Sequence, residues 1–428
     1  MKLFIEFISK KFKNQVCKLK NYKYLYLLKI FFNKKNLKIK FVNECSSNFY
    51  SKNKYIYKRN NKVKEFVNKK FDNYFKNNIV LESRIEYQFY SLKEVFIVPS
   101  TDLIFDSINI YISDKKKFTR GWDFLKLMEF DSFKLILIGK NKHFLKFYKN
   151  NKCVISNSLF KSSYTIPEGI NLLSSINNYW HFIFEQAPKI ILSNYLNIPK
   201  EIPLLLPDNL HPNIYEIINL LNKSNDRRSI IKVPTNRNIP MVYKIGKLYN
   251  IRDHINQPFH IPRSTNLLNC KFFFDKFPIL DLVNKIKTIL KIEKEIDYNL
   301  KLFLYRESSW RISNDQENLK NFLLKKGYTL FNPSRLSFKE QVKLCSKASS
   351  FIGFSGAGYT NSIFLPKESK KLIFANDSYL SLVNIWDHLL ENLYICKNGN
   401  YYESSDDIHG EPYLTEANWI QLDEFLSI

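Results

Sequence analysis

Between Leu300 and Ala375 the chain alternates short apolar runs with helix-patterned segments, and that alternation restricts its fold more than any other feature. Leu300 to Tyr305 has the pattern of a strand. A polar loop from Arg306 to Ser313 leads to a helix with a cap-like Asn314 and Glu317, core positions Leu319, Phe322 and Leu323, and Gly327 closing it. Thr329 to Phe331 is a second strand, Ser337-Phe338-Lys339-Glu340 has the form of a capping box, and strands over 351–354 and 372–375 follow. Repeats of this kind join parallel strands by right-handed crossovers, with helices on both faces of the sheet. Ligands of such sheets bind outside the carboxyl ends of the strands. Three loops converge there, after Tyr305, Phe331 and Phe354.

The stretch FIGFSGAGYTNSIFLP (351–366) reads as strand, tight turn and helix, with Ser355, Gly356, Ala357 and Gly358 in the turn. The first N–H groups of a helix have no intrahelical partner, and with the helix dipole they favour an anion such as a phosphate. Any strand-to-helix turn needs small residues, so the turn alone does not distinguish a ligand site from a structural bend. Arg306 and Arg311 follow the first strand and reach the same edge. Their planar forks match phosphate oxygens, although two surface arginines would look the same in sequence. Glu340 can accept a ribose hydroxyl or serve only as the fourth residue of its capping box.

Upstream, EVFIVP (94–99), SINIYI (107–112) and FKLILI (133–138) read as strands of a β-rich leading region. Ser175, Asn177 or Asn178 can cap a helix through Trp180, Phe182, Ile183 and Phe184. IPLLLP (202–207) has the continuous apolar character of a buried parallel strand, and Ile214, Ile217, Ile218 and Leu221 mark a helix. Helical patterning resumes from Ile279 to Leu290. His181 and Glu185 stand four apart, on one helix face, where a carboxylate can orient an imidazole that removes a proton from a hydroxyl. A histidine satisfied within a core is the competing reading. The polar stretch 252–275 is the expected linker between two domains, which is the number that 428 residues suggest.

The formal charge is +26, and residues 1–80 hold 21 Lys and Arg against 4 Asp and Glu. AT-rich codons inflate Lys, Asn, Ile, Phe and Tyr together, which explains the general excess better than its concentration at the start. Leu25, Leu28, Ile30 and Phe31 among lysines can form a basic amphipathic helix on an anionic membrane surface. The six scattered cysteines form no CxxC and suggest neither a disulfide framework nor a zinc site, as in a reducing compartment. The N-terminus lacks the pattern of a signal peptide, and Tyr24 to Phe32 is too short to span a bilayer. No nucleic-acid-binding motif is present.

The segments NYWHFIFEQAP (178–188), LYRESSWRISND (304–315) and LSFKEQVKLCSKASSFIGFSGAGYTNSIF (336–364) resemble glycosyltransferase family 61 in order and spacing. That family includes bacterial capsular-polysaccharide transferases, plant xylosyl- and arabinosyltransferases and animal O-linked N-acetylglucosaminyltransferases. The resemblance implies an α/β fold of the GT-B type, two Rossmann-like domains with parallel sheets facing a central cleft. The expected division is a basic extension (1–85), an acceptor-side domain (86–262) and a nucleotide-sugar-binding domain (263–428). It implies an inverting transferase that uses a nucleotide sugar, with no metal and no further cofactor. Arg306, Arg311, Glu340, Gln341, Ser355, Gly356, Ala357, Gly358, Thr360 and Asn361 fall on its donor-binding half, and His181 and Glu185 on its acceptor-side motif.

The implied acceptor is a hydroxyl of a glycan or lipid-linked glycan in cell-surface polysaccharide synthesis. The expected location is cytoplasmic, with residues 1–80 touching the membrane. Two positions depart from the family pattern, Ser355 where His is common and Asp315 where Glu is usual. Ser355 lacks an imidazole that could touch donor phosphates. It therefore supports the alternative of a catalytically inactive GT-B-shaped adaptor that binds glycans or a membrane-associated assembly.

Overall fold

The structure, a computed structural model, describes residues 34–41, 89–97, 99, 104–107, 109–112, 136–138, 143–148, 152–156, 164–173, 178–224, 227–235, 242–251, 254–256, 273–274, 276–293, 295–307, 315–375, 385–387, 389–401 and 411–428. Their strands form an eleven-stranded sheet, a five-stranded sheet and two short ribbons.

Five strands dominate the first sheet: β1 (Phe89–Ile97), β2 (Tyr164–Asn171), β3 (Leu204–Pro207), β4 (Ile230–Val233) and β5 (Tyr243–Ile251). They lie in the order β4-β3-β2-β5-β1. The first four are parallel, and β3 is wholly buried as its apolar run requires. The expected all-parallel sheet is corrected at β1, which is antiparallel to β5, with Leu92 opposite Leu248. Beyond β1 the sheet runs through Ile104–Phe105 and Asn109–Ile112 to Lys34–Phe41, then Lys152–Ser156, His143–Tyr148 and Ile136–Ile138. Neighbours in this leading region are antiparallel, as strands joined by turns can be, except that Lys34–Phe41 runs parallel to Asn109–Ile112. Lys34–Phe41 is thus a strand of this sheet, although it falls in the stretch expected to be an extension. The expected amphipathic helix around Leu25 to Phe31 lies outside the described residues, as does 257–272 of the expected linker.

The second sheet contains β6 (Asp297–Leu304), β7 (Tyr328–Phe331), β8 (Ala348–Phe354), β9 (Lys370–Ala375) and β10 (Leu393–Lys397). Their order is β7-β6-β8-β9-β10 and every pair is parallel. This is the doubly wound arrangement, with its switch point between β6 and β8.

The helices are α1 (Tyr179–His181, continuing through Phe182–Gln186 and Ala187–Tyr195), α2 (Pro212–Ser224), α3 (Phe277–Ile289), α4 (Gln316–Lys325), α5 (Phe338–Lys347) and α6 (Glu416–Ser427). Successive side chains of a strand point to opposite faces. Accordingly, Leu302, Leu304 and Phe351 join the core shared with α1, α2, α3 and α5, while Phe303 and Ile352 pack with Leu319, Leu323, Leu422 and Phe425 of α4 and α6. The shared core also contains Ile170, Leu204 and Leu206 of the first sheet, so it joins the two sheets. A third cluster, including Leu92, Val95, Ile166, Leu205 and Ile245, covers the other face of the first sheet.

Local signals account for the start of α5 and the end of α4. Ser337 and Glu340 form both bonds of the capping box on α5, and Gly327 follows α4 with φ +81°, a conformation glycine adopts without steric cost. The expected cap of α4 is corrected. Its N-cap is Asp315, which makes no side-chain cap bond, and Asp315 Oδ2 accepts from Leu414 N at 2.7 Å instead. Among the described residues, no helix is long and apolar enough to cross a membrane.

Candidate active site

Helix α1 is apolar on nearly every side because it runs through the shared core; Trp180, Phe182, Ile183, Phe184, Ile190, Ile191 and Leu192 are all buried. Asn178 starts it, its side-chain oxygen accepting from Trp180 N at 3.0 Å and His181 N at 3.3 Å. After one α-turn the helix widens into a π-turn over Phe182–Gln186, and the Ala187 N–H donates to Phe182 O. Pro188 explains the widening: it has no N–H to give, and its ring would clash with the carbonyl four residues earlier in a regular α-helix. Next to this turn, His181 Nδ1 lies 3.1 Å from Glu185 Oε1. The Glu185 side chain is 6% exposed and that of His181 14%, so the carboxylate is enclosed while the imidazole reaches the surface. Trp180 stacks on Phe184 and meets the His181 ring edge-on, fixing the ring from one side. A proton on Nδ1 directed at Glu185 leaves Nε2 as the basic nitrogen.

The second group of residues lies at the switch point. Arg306 follows β6, and its Nη2 donates to Ser355 O, just past β8, at 2.9 Å. Ser355 N in turn donates to Phe374 O at 2.8 Å. Gly356 has φ +144° and ψ −174°, backbone space that only glycine occupies readily, and a Cβ there would collide with Arg306 Nη2. The segment that follows, Ala357–Phe364, is the expected helix and takes the 3-10 form. Its first bond runs from Tyr359 N to Gly356 O at 3.0 Å, so the N–H groups of Ala357 and Gly358 precede the ladder. Both residues are partly exposed. A guanidinium, a positively directed helix start and two small residues can together accept an anion.

Tertiary structure brings the two groups together. Tyr179 OH donates to Asn361 Oδ1 at 2.9 Å, across 182 residues of sequence. The Tyr179 ring also packs on Phe338, at the start of α5. There Glu216 of α2 accepts from Phe338 N at 2.8 Å and Lys339 N at 3.3 Å, adding a second cap to α5 from another helix. Tyr179 and Glu216 were assigned no role from sequence; Tyr179 lies inside the NYWHFIFEQAP motif, but nothing local connects it to Asn361.

The remaining candidates divide by exposure and bonding. The Glu340 carboxylate accepts from Ser337 N and Oγ, and these bonds hold it below the usual carboxylate range. Gln341 is buried, with Nε2 donating to Pro333 O and Leu336 O. Thr360 and Asn361 are wholly buried, and Asn361 Nδ2 donates to Gly358 O at 3.2 Å. Ser355 is at the margin of burial. Arg311 lies outside the described residues. No group of three His, Cys, Asp or Glu side chains among the described residues is placed to hold a metal ion.

No curated protein matches the chain. Residues 179–372 match the family model described as Glycosyltransferase 61, a span that starts at the tyrosine bonded to Asn361 and ends in β9. The segment that carries the His181–Glu185 pair, Arg306 and the Gly356 turn therefore matches the same family, glycosyltransferase 61, that the sequence motifs resemble.

Proposed function

We propose that the chain transfers a sugar from a nucleoside-diphosphate donor to a hydroxyl of a glycan or lipid-linked glycan, with inversion at the anomeric carbon. The observation that carries this reading is the Arg306–Gly356 turn at the switch point, tied through Asn361 and Tyr179 to the helix bearing His181. In this reading the two sheets are the halves of a GT-B arrangement, residues 86–262 presenting the acceptor and 263–428 the donor.

His181 Nε2 takes the proton of the acceptor hydroxyl as that oxygen bonds to the anomeric carbon. Glu185 holds the ring by Nδ1 and stabilises the imidazolium that forms. On the opposite face the bond from the anomeric carbon to the phosphate oxygen breaks, and its electron pair leaves with the diphosphate. Arg306 and the N–H groups of Ala357 and Gly358 face the charge that develops there, without a divalent ion. Arg311, five positions further along the sequence, is proposed as a second guanidinium for the same diphosphate.

A cytoplasmic site at the membrane surface, in cell-surface polysaccharide synthesis, agrees with the basic stretch 1–80 and an anionic lipid partner. Thermal shift with UDP-, GDP-, CMP- and TDP-linked sugars, followed by detection of the released nucleotide, tests the reading. Stabilisation by one nucleotide class and release that depends on an acceptor are expected. Stabilisation without release under any acceptor would instead mark a glycan-binding adaptor.

A further inference from the structure

Tyr179 occupies a junction that the reaction as written does not use. It is the first residue of α1, two positions before His181, and its ring is held against Phe338. Its hydroxyl donates to Asn361 Oδ1 at 2.9 Å, and the other end of that amide donates to Gly358 O at 3.2 Å. The amide thus relays from the start of α1 to the backbone of the glycine turn. Asn361 is fully enclosed, so without the phenol its oxygen would lose that partner inside the protein. Burial pushes the Tyr179 phenol well above its ordinary value, which keeps the donor proton in place through the neutral range.

We infer that Tyr179 is a positioning residue whose hydroxyl sets the reach between the His181 imidazole and the turn at Gly356 and Gly358. The inference rests on the reading of this site as a glycosyl-transfer centre. The base and the leaving-group cradle belong to segments 175 residues apart, from His181 to Gly356. A bond that fixes their separation acts on the geometry of attack and not on affinity for either substrate. An ångström of misplacement between reacting groups costs about a hundredfold in rate.

The test uses Tyr179→Phe, which removes the hydroxyl and leaves the ring on Phe338, together with Asn361→Ala and the double variant, all in the full chain. Steady-state rates are measured with the nucleotide sugar that the wild-type protein turns over in the panel above. A positioning role predicts a fall in kcat of about ten- to a hundredfold for Tyr179→Phe, with donor KM unchanged. The double variant should be no slower than the worse single one, because both remove the same link. A merely structural bond would lower the thermal midpoint and leave kcat in place, and that result overturns the inference. So do fully additive losses. The His181 ring resonances, followed by NMR in wild type and Tyr179→Phe, give a readout independent of turnover. If wild type turns over no nucleotide sugar, the transfer reading falls. If the His181 resonances also stay unmoved by Tyr179→Phe, the positioning role falls with it.

Discussion

The Arg306 guanidinium stands where a side chain on residue 356 would have to go. Its Nη2 donates to the carbonyl of Ser355, and Gly356 passes beneath it in backbone space that other residues avoid. Replacing Gly356 with Ala therefore imposes two costs, a strained φ and a displaced guanidinium. The strain should lower stability by about 1–3 kcal/mol. Nucleoside-diphosphate affinity should fall as well, measured by calorimetric titration beside urea denaturation. Arg306→Ala should weaken nucleotide binding with a smaller loss of stability, since it leaves the backbone relaxed. Equal affinity in wild type and Arg306→Ala would remove the turn from the donor site.

His181→Ala should depress turnover by about 10²–10⁴ while nucleotide binding survives, because it deletes a general base and leaves Arg306 and the turn intact. Glu185→Gln keeps the size of the partner of Nδ1 but removes its charge, so a smaller loss is expected. Rate measurements paired with titration calorimetry check both. Full turnover by His181→Ala on the true acceptor would show that another group takes the proton.

Glu216 caps a helix that packs against the other sheet, so its removal reports on the joint between the two halves. Glu216→Ala frees the Phe338 and Lys339 N–H groups and should cost about 1 kcal/mol, as loss of a helix cap does. Denaturant titration measures this directly. An unchanged midpoint would mean that the Ser337–Glu340 box alone suffices for that end of α5.

Stability should also fall in acid through Glu340. Hydrogen bonds from the Ser337 side chain and backbone hold its carboxyl below the unfolded value. Its contribution is therefore present above the unfolded carboxylate pKa and is lost as pH falls through the depressed folded one. Glu340→Gln should flatten that part of the acid limb in thermal melts taken as a function of pH. An acid limb identical to that of wild type would contradict the assignment.

Much of this molecule is written in neighbouring residues. The alternation from Leu300 to Ala375 produced a parallel sheet, the Ser337–Glu340 spacing produced a capping box, and His181 and Glu185 met across one turn as their separation required. The mixed character of the first sheet was less legible, because alternating apolar residues give a strand but not the direction of its partner. The 3-10 course of Ala357–Phe364 was hidden for a similar reason: its apolar residues suit any helix packed on a core. Thr360 and Gln341, which the resemblance puts on the donor-binding half, are both enclosed, and Gln341 is bonded to carbonyls of the loop before α5, packing that sequence alone does not show.

Sequence by itself determined the second sheet's strand–helix order, the cap of α5, and the match of residues 179–372 to the glycosyltransferase 61 model. Each of these depends on residues within a few positions of one another or on a motif in fixed order. Only the tertiary structure decided that Tyr179 would bond Asn361, that Glu216 would cap α5, and that Arg306 would occupy the space above Gly356. Those contacts close loops of 182, 122 and about 50 residues, and the burial of a shared core holds their ends together.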